Sequence, residues 1–277
     1  MLKLTSPDVL PGDPAKMPIV LAHGFFGTGN TRIGPIGHRY FYGVEKTLNA
    51  AGHPVLVASV PFAGPVSVRA AKLVRQIRDW DVDKKPIVVA HSMGGLDTRH
   101  ALTHLGLAGD IAALATVATP HRGSPFADWV LRKFGRTTRG IGNFLRRITG
   151  IDLRGSDDLT VEAAEAFNEA TPDVAGFPYF SVAAVREREY TFPGLRFSHN
   201  IITAAEGDND GLVGRASAMW GTFLGEWACD HTHSRNQVFR EKHPEPTGDV
   251  GPLYQQLVDD VETALLSNAA AEESTPH

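Results

Sequence analysis

Short, uniformly apolar runs that end in glycine, proline or a polar turn punctuate the chain. Ile19-Val20-Leu21-Ala22 runs into His23-Gly24, Val55-Leu56-Val57-Ala58 into Pro61, and Ile87-Val88-Val89-Ala90 into His91-Ser92. Residues 114–117 run into Thr119-Pro120, and residues 179–185 form another such run. Runs of this length predict strands buried on both faces, and therefore a parallel sheet. Between them the pattern changes to a helical period. Residues 42–51 close at Gly52, and residues 66–80 place Val66, Ala70, Leu73, Val74 and Ile77 on one face. Residues 96–105 and 253–266 read the same way, the latter through Leu253, Leu257, Val261 and Leu265. Strand–helix alternation at this spacing predicts an α/β fold with right-handed crossovers and helices on both faces of the sheet. Residues 200–205 read as one more strand before a polar turn. Residues 121–177 break the alternation. There Trp129, Val130, Phe134, Ile141, Phe144, Leu145 and Ile148 alternate with Arg132, Lys133, Arg136, Arg139, Arg146 and Arg147. This predicts one or two amphipathic helices that cap the sheet.

Composition narrows the class. The chain has 277 residues, of which 42% are apolar and 21% charged, so it can bury a large core and is not globally disordered. No internal repeat or interior linker interrupts it. The pattern predicts a single domain over 1–277, with a helical lid or cap insertion at 122–176 and a frayed tail at 268–277. The net charge of −4 argues against nucleic acid as a partner. Cys229 is the single cysteine, so no internal disulfide can form. No charge-free apolar run is long enough to span a bilayer. Residues 1–18 carry Pro7, Asp8, Pro11, Asp13 and Pro14 and lack the apolar stretch of a secretory signal, so a cytoplasmic location is expected.

The strongest chemical signal is Ala90-His91-Ser92-Met93-Gly94-Gly95, between a predicted strand and a predicted helix. A nucleophilic serine on such an elbow must point away from the sheet, and its tight backbone leaves room only for small residues two positions either side. Ala90 and Gly94 meet that need. The helix N-terminus behind Ser92 favours negative charge above it. His23-Gly24-Phe25 follows the first strand, where a loop offers a backbone N–H to a developing oxyanion; Phe25 and Met93 are the candidate donors. The glycines at 24, 27, 29, 34 and 37 could instead suggest phosphate binding, but no G-x-G-x-x-G is present and no Lys-Ser or Lys-Thr stands at P-loop spacing.

A serine nucleophile needs a base and an acid, which in this type of fold follow in the order acid, then histidine. The turn Gly207-Asp208-Asn209-Asp210-Gly211 holds two candidate acids, Asp208 and Asp210. The segment Asp230-His231-Thr232-His233 holds two candidate bases, His231 and His233. Residue types alone do not choose within either pair. Asp230 with His231 and His233 could also ligate zinc, although no His-Glu-x-x-His motif or cysteine pair accompanies them.

These motifs, in this order, resemble the proteobacterial true lipases (triacylglycerol lipase family I) of the α/β-hydrolase superfamily. The resemblance covers residues 18–239 and includes Thr119-Pro120-His121-Arg122-Gly123-Ser124-Pro125, Asn209-Asp210-Gly211-Leu212-Val213, and Asp230-His231 followed by Asn236-Gln237. It implies a catalytic triad of Ser92, Asp210 and His231, an oxyanion hole at Phe25 and Met93, and lid helices over 124–151. It also implies a lipid–water interface as the working surface. The chain departs from the family where Ala90 opens the elbow. It departs again where His233 replaces the aspartate that ligates a structural calcium, since imidazole is a poor ligand for that hard cation. No cofactor is therefore expected.

The leading expectation is a serine carboxylic-ester hydrolase, a lipase or esterase acting on acyl esters through an acyl-enzyme. The same triad could serve an acyltransferase, a thioesterase or a polyester depolymerase. A third reading is a non-catalytic module whose basic, apolar stretch at 129–148 binds an anionic membrane.

Overall fold

The apolar runs become the strands β1 (Ile19–Ala22), β2 (Val55–Val57), β3 (Ile87–His91), β4 (Ala113–Val117) and β5 (Tyr179–Ala184), joined by β6 (Thr222–Trp227). In this computed structural model, which describes residues 15–25, 40–61, 64–134, 159–237 and 248–273, they form one parallel sheet in the order β2-β1-β3-β4-β5-β6. Ile19 is in register with Val55 on one side and Ile87 on the other, and Ile87 with Ala113 beyond it. The strand β6 lacks the uniform apolar signal because it is an edge strand, and most of Thr222-Phe223-Leu224-Gly225-Glu226 is exposed or half-buried.

Alternate residues of each strand feed two cores. Ile19, Leu21, Ile87 and Val89 pack with Val44 and Leu48 of α1 (Val44–Ala50) and with Tyr254, Leu257, Val258 and Val261 of the C-terminal helix Gly251–Glu273. Val20, Ala22, Val88 and Ala90 pack on the other face, with Ala70, Leu73, Val74 and Ile77 of α2 (Val66–Asp79) and with Ala101 and Leu102 of α3 (Met93–His104). This two-sided burial is why the strands read as unbroken apolar runs. The architecture is an α/β-hydrolase fold.

The segment at 200–205 is not a strand. Residues Arg196–Glu206 are helical and form α6, after α4 (Pro125–Phe134) and α5 (Val161–Ala170). The β-branched run Ile201-Ile202-Thr203 suggests a strand locally. The buried positions Ser198, His199 and Ile202 instead follow the helical period, and Ile202 packs against Phe126 and Val130 of α4. The short helix α7 (Arg215–Ala218) follows, and the C-terminal helix is α8. Of the expected insertion at 122–176, residues 135–158 lie outside the described residues, and with them most of the expected lid; α4 and α5 are its described parts. No helix among the described residues is long and apolar enough to cross a membrane.

Candidate active site

Ser92 sits between β3 and α3 with φ 56° and ψ −131°, a conformation that L-residues avoid and that costs about 1–3 kcal/mol. Three contacts hold it there. Its N–H donates to Val117 O (2.9 Å), and its carbonyl accepts from Thr119 Oγ1 (2.8 Å) and Gly95 N (3.0 Å). The elbow also demands space. A Cβ on Gly94 would lie 2.4 Å from Ala22 O, so α3 lies directly against the end of β1.

Geometry separates the two members of each candidate pair. Asp210 is fully buried, whereas Asp208 is exposed. Asp210 Oδ1 accepts from the N–H groups of Leu212 (2.8 Å) and Val213 (2.7 Å), while Oδ2 lies 2.7 Å from His231 Nδ1. The other ring nitrogen, His231 Nε2, lies 3.1 Å from Ser92 Oγ. Asp210, His231 and Ser92 thus form one continuous hydrogen-bonded line. His233 faces elsewhere, with Nε2 2.9 Å from Gly248 O. The turn itself is laced by Asn209, whose Oδ1 accepts from Gly211 N and whose Nδ2 donates to Thr203 Oγ1 and Gly207 O.

Phe25 and Met93, the expected oxyanion donors, belong to one small buried cluster with Val66 and Leu96. Met93 opens α3, and the first N–H groups of a helix have no carbonyl partner within it. The loop before Phe25 presses on the serine: a Cβ on Gly24 would meet Ser92 Cβ at 2.8 Å and Tyr40 Oη at 2.9 Å. His23 accepts from Val60 N at Nε2 (3.2 Å), which leaves its Nδ1–H to donate to Gly24 O (2.8 Å). Burial lowers its pKa to about 4, so the ring is neutral. Sequence reasoning did not single out Arg69, which stands one residue before Ala70 on the buried face of α2. It is fully buried, donates to Asp97 Oδ2 (2.8 Å), His23 O (2.9 Å) and Pro61 O, and ties the loop after β1 to α2 and α3.

The calcium that the resemblance implies does not fit the residues here. Asp230 Oδ1 accepts from Thr232 N, Thr232 Oγ1 and His233 N, and its Oδ2 accepts from Phe192 N. That carboxylate caps its own loop, and His233 presents a ring nitrogen to a carbonyl. Zinc on His231 fits no better, because both its ring nitrogens are engaged by Asp210 and Ser92. Among the described residues, the one group of three with metal-ligand spacing is His53, Asp259 and Glu262, far along the chain from these residues. There Lys16 Nζ stands 3.5 Å from Asp259 and 3.4 Å from Glu262 and supplies the positive charge.

Triacylglycerol lipase 2 of Saccharomyces cerevisiae is 32% identical over 242 residues, covering 80% of this chain and 73% of the yeast protein. The chain belongs to the triacylglycerol lipase family. It is a lipase-like carboxylic-ester hydrolase. A triacylglycerol lipase of Pseudomonas fragi is a second relative of the family member described here, at 26% identity over 81% of this chain and 89% of that protein. Among solved structures, the mature Bacillus licheniformis lipase BlEst2 superimposes with a TM-score of 0.69 at 21% identity. It covers 91% of this chain and 96% of that one, a likeness of fold. No family model matches the chain.

Proposed function

We propose that this lipase-family chain hydrolyses acyl esters through an acyl-enzyme on Ser92, with His231 as general base and then general acid, and Asp210 as its orienting carboxylate. The observation that carries this reading is the line Ser92 Oγ–His231 Nε2–His231 Nδ1–Asp210 Oδ2, with steps of 3.1 and 2.7 Å. His231 takes the Ser92 proton as Oγ attacks the ester carbonyl, and returns it to the departing alcohol. The imidazolium formed between is stabilised by Asp210, whose other oxygen is already held by two backbone N–H groups. The N–H groups of Phe25 and Met93 receive the oxyanion. Water then repeats the sequence on the acyl-enzyme. Phe126, Trp129 and Phe197 cluster beside Leu212 of the acid turn, with Trp129 and Phe197 ring centroids 5.0 Å apart. Such a surface suits an acyl chain. The finer assignment is to the proteobacterial true lipases; the acid and base motifs and the Pseudomonas fragi relative support it.

Hydrolysis of p-nitrophenyl esters from acetyl to palmitoyl, with Ser92→Ala alongside, tests the reading. Turnover lost in Ser92→Ala with an unchanged fold is the expected result, and a chain-length optimum at long esters would assign a lipase over an esterase. Retained turnover in Ser92→Ala would remove the proposal.

A further inference from the structure

Behind Ser92 and His231 lies a second hydrogen-bonded line that the mechanism above does not use. His91 ends β3, immediately before the nucleophile, and is fully buried. Its Nδ1 lies 2.7 Å from Tyr40 Oη, and its Nε2 lies 2.7 Å from Ser234 Oγ. Ser234 Oγ in turn donates to the carbonyl of His231 (2.9 Å), and Tyr254 Oη donates to the carbonyl of Ser234 (2.8 Å).

The proton positions follow from counting. A serine hydroxyl has one proton, and that of Ser234 is committed to His231 O, so toward His91 it accepts. His91 Nε2 therefore carries a hydrogen. Burial, helped by the nearby His231 and Arg235, holds His91 well below the usual imidazole range, so the ring is neutral and Nδ1 is bare. Tyr40, whose own ionisation burial opposes, must then be the donor to Nδ1. Every group in the line is satisfied in one direction only: Tyr40 to His91, His91 to Ser234, Ser234 to the His231 carbonyl. The His231 N–H is already held by Asp210 O (3.0 Å), so both backbone polar groups of His231 are pinned. The His91 and His231 rings also pack together, with centroids 4.8 Å apart.

We infer that His91 and Ser234 are positioning residues that keep the His231 imidazole in register with Ser92 Oγ, by tying the backbone of the His231 loop to the strand that carries the nucleophile. The line joins His91, one residue before Ser92, to His231 itself, so the distance between nucleophile and base is set by it and not by the Asp210 contact alone. A misplacement of such a group by about 1 Å can cost about a hundredfold in rate. This inference rests on the triad reading above.

The test uses the full chain and p-nitrophenyl butyrate. Ser234→Ala removes one hydroxyl and should lower kcat by about ten- to a hundredfold, with KM held within about twofold. Ser234→Thr restores a hydroxyl and should recover most of that loss. His91→Phe should lower kcat similarly, and its combination with Ser234→Ala should cost little more than either alone, because both break the same line. If His91→Phe does not fold, the alanine and threonine pair decides. Phosphonylation of wild-type Ser92 by an organophosphonate separates the two ideas. An unreactive Ser92 would overturn the triad reading and this inference with it. A reactive Ser92 with wild-type kcat in Ser234→Ala, or equal losses in Ser234→Ala and Ser234→Thr, would overturn this inference alone.

Discussion

At the scale of single residues, chemistry and position were legible to different degrees. Ser92 stood out as the candidate nucleophile, because a small-x-Ser-x-Gly turn between an apolar run and a helical period has few other uses. Asp210 and His231 did not, since Asp208 and His233 are the same residue types two positions away. What separates them is burial and direction. Asp210 turns inward onto two backbone N–H groups and one imidazole, while Asp208 is exposed. Asp210→Asn keeps the size of the side chain and the two N–H contacts are weakened, but it no longer selects the His231 tautomer that accepts from Ser92. With the triad reading, steady-state kcat should fall by about three to four orders of magnitude, with circular dichroism unchanged. A loss of less than about tenfold would mean that another group orients His231.

At the scale of elements, the strands β1 to β5 followed from their apolar runs, whereas residues 200–205, expected as a strand, belong to the helix Arg196–Glu206. Its β-branched residues favour a strand in isolation, and packing of Ile202 against Phe126 and Val130 decides for a helix. The loop after β1 is likewise an affair between elements: Arg69 on α2 and Asp97 on α3 hold it, and no local pattern announces a contact between residues so far apart in the chain. The tightest joint is where α3 meets β1. Gly94→Ala would drive a Cβ to 2.4 Å from a backbone oxygen that cannot swing aside, so α3 must shift. Urea unfolding should show a loss of about 1–3 kcal/mol, with activity reduced as the elbow moves. Unchanged stability would mean that the elbow is looser than this geometry implies.

At the scale of the whole molecule, the fold buries histidines in their neutral form. Burial lowers His23 to about 4 from the ordinary 6.5, and holds His91 and His121 well below it. Above about pH 6.5 these rings are neutral in both states and cost nothing. As pH falls from there toward 4, the unfolded chain takes up protons that the folded chain refuses, so stability is lost at about 1.4 kcal/mol per pH unit for each such histidine. Urea midpoints should therefore fall steadily as pH drops from about 6.5 to about 5, and His23→Gln should flatten the slope; a midpoint independent of pH would contradict the burial of these rings. The sequence by itself determined the parallel sheet, the helices on both faces, the tight turn that carries the candidate nucleophile, and the small set of acids and bases that could serve it. These depend on periodicity and on turn chemistry, which are local. Only the tertiary structure decided which aspartate meets which histidine, that Asp230 caps its own loop, and that Arg69 and His91 stand behind the candidate site. Each of those depends on a contact between distant segments, and residue type carries no information about which distant segment a side chain will meet.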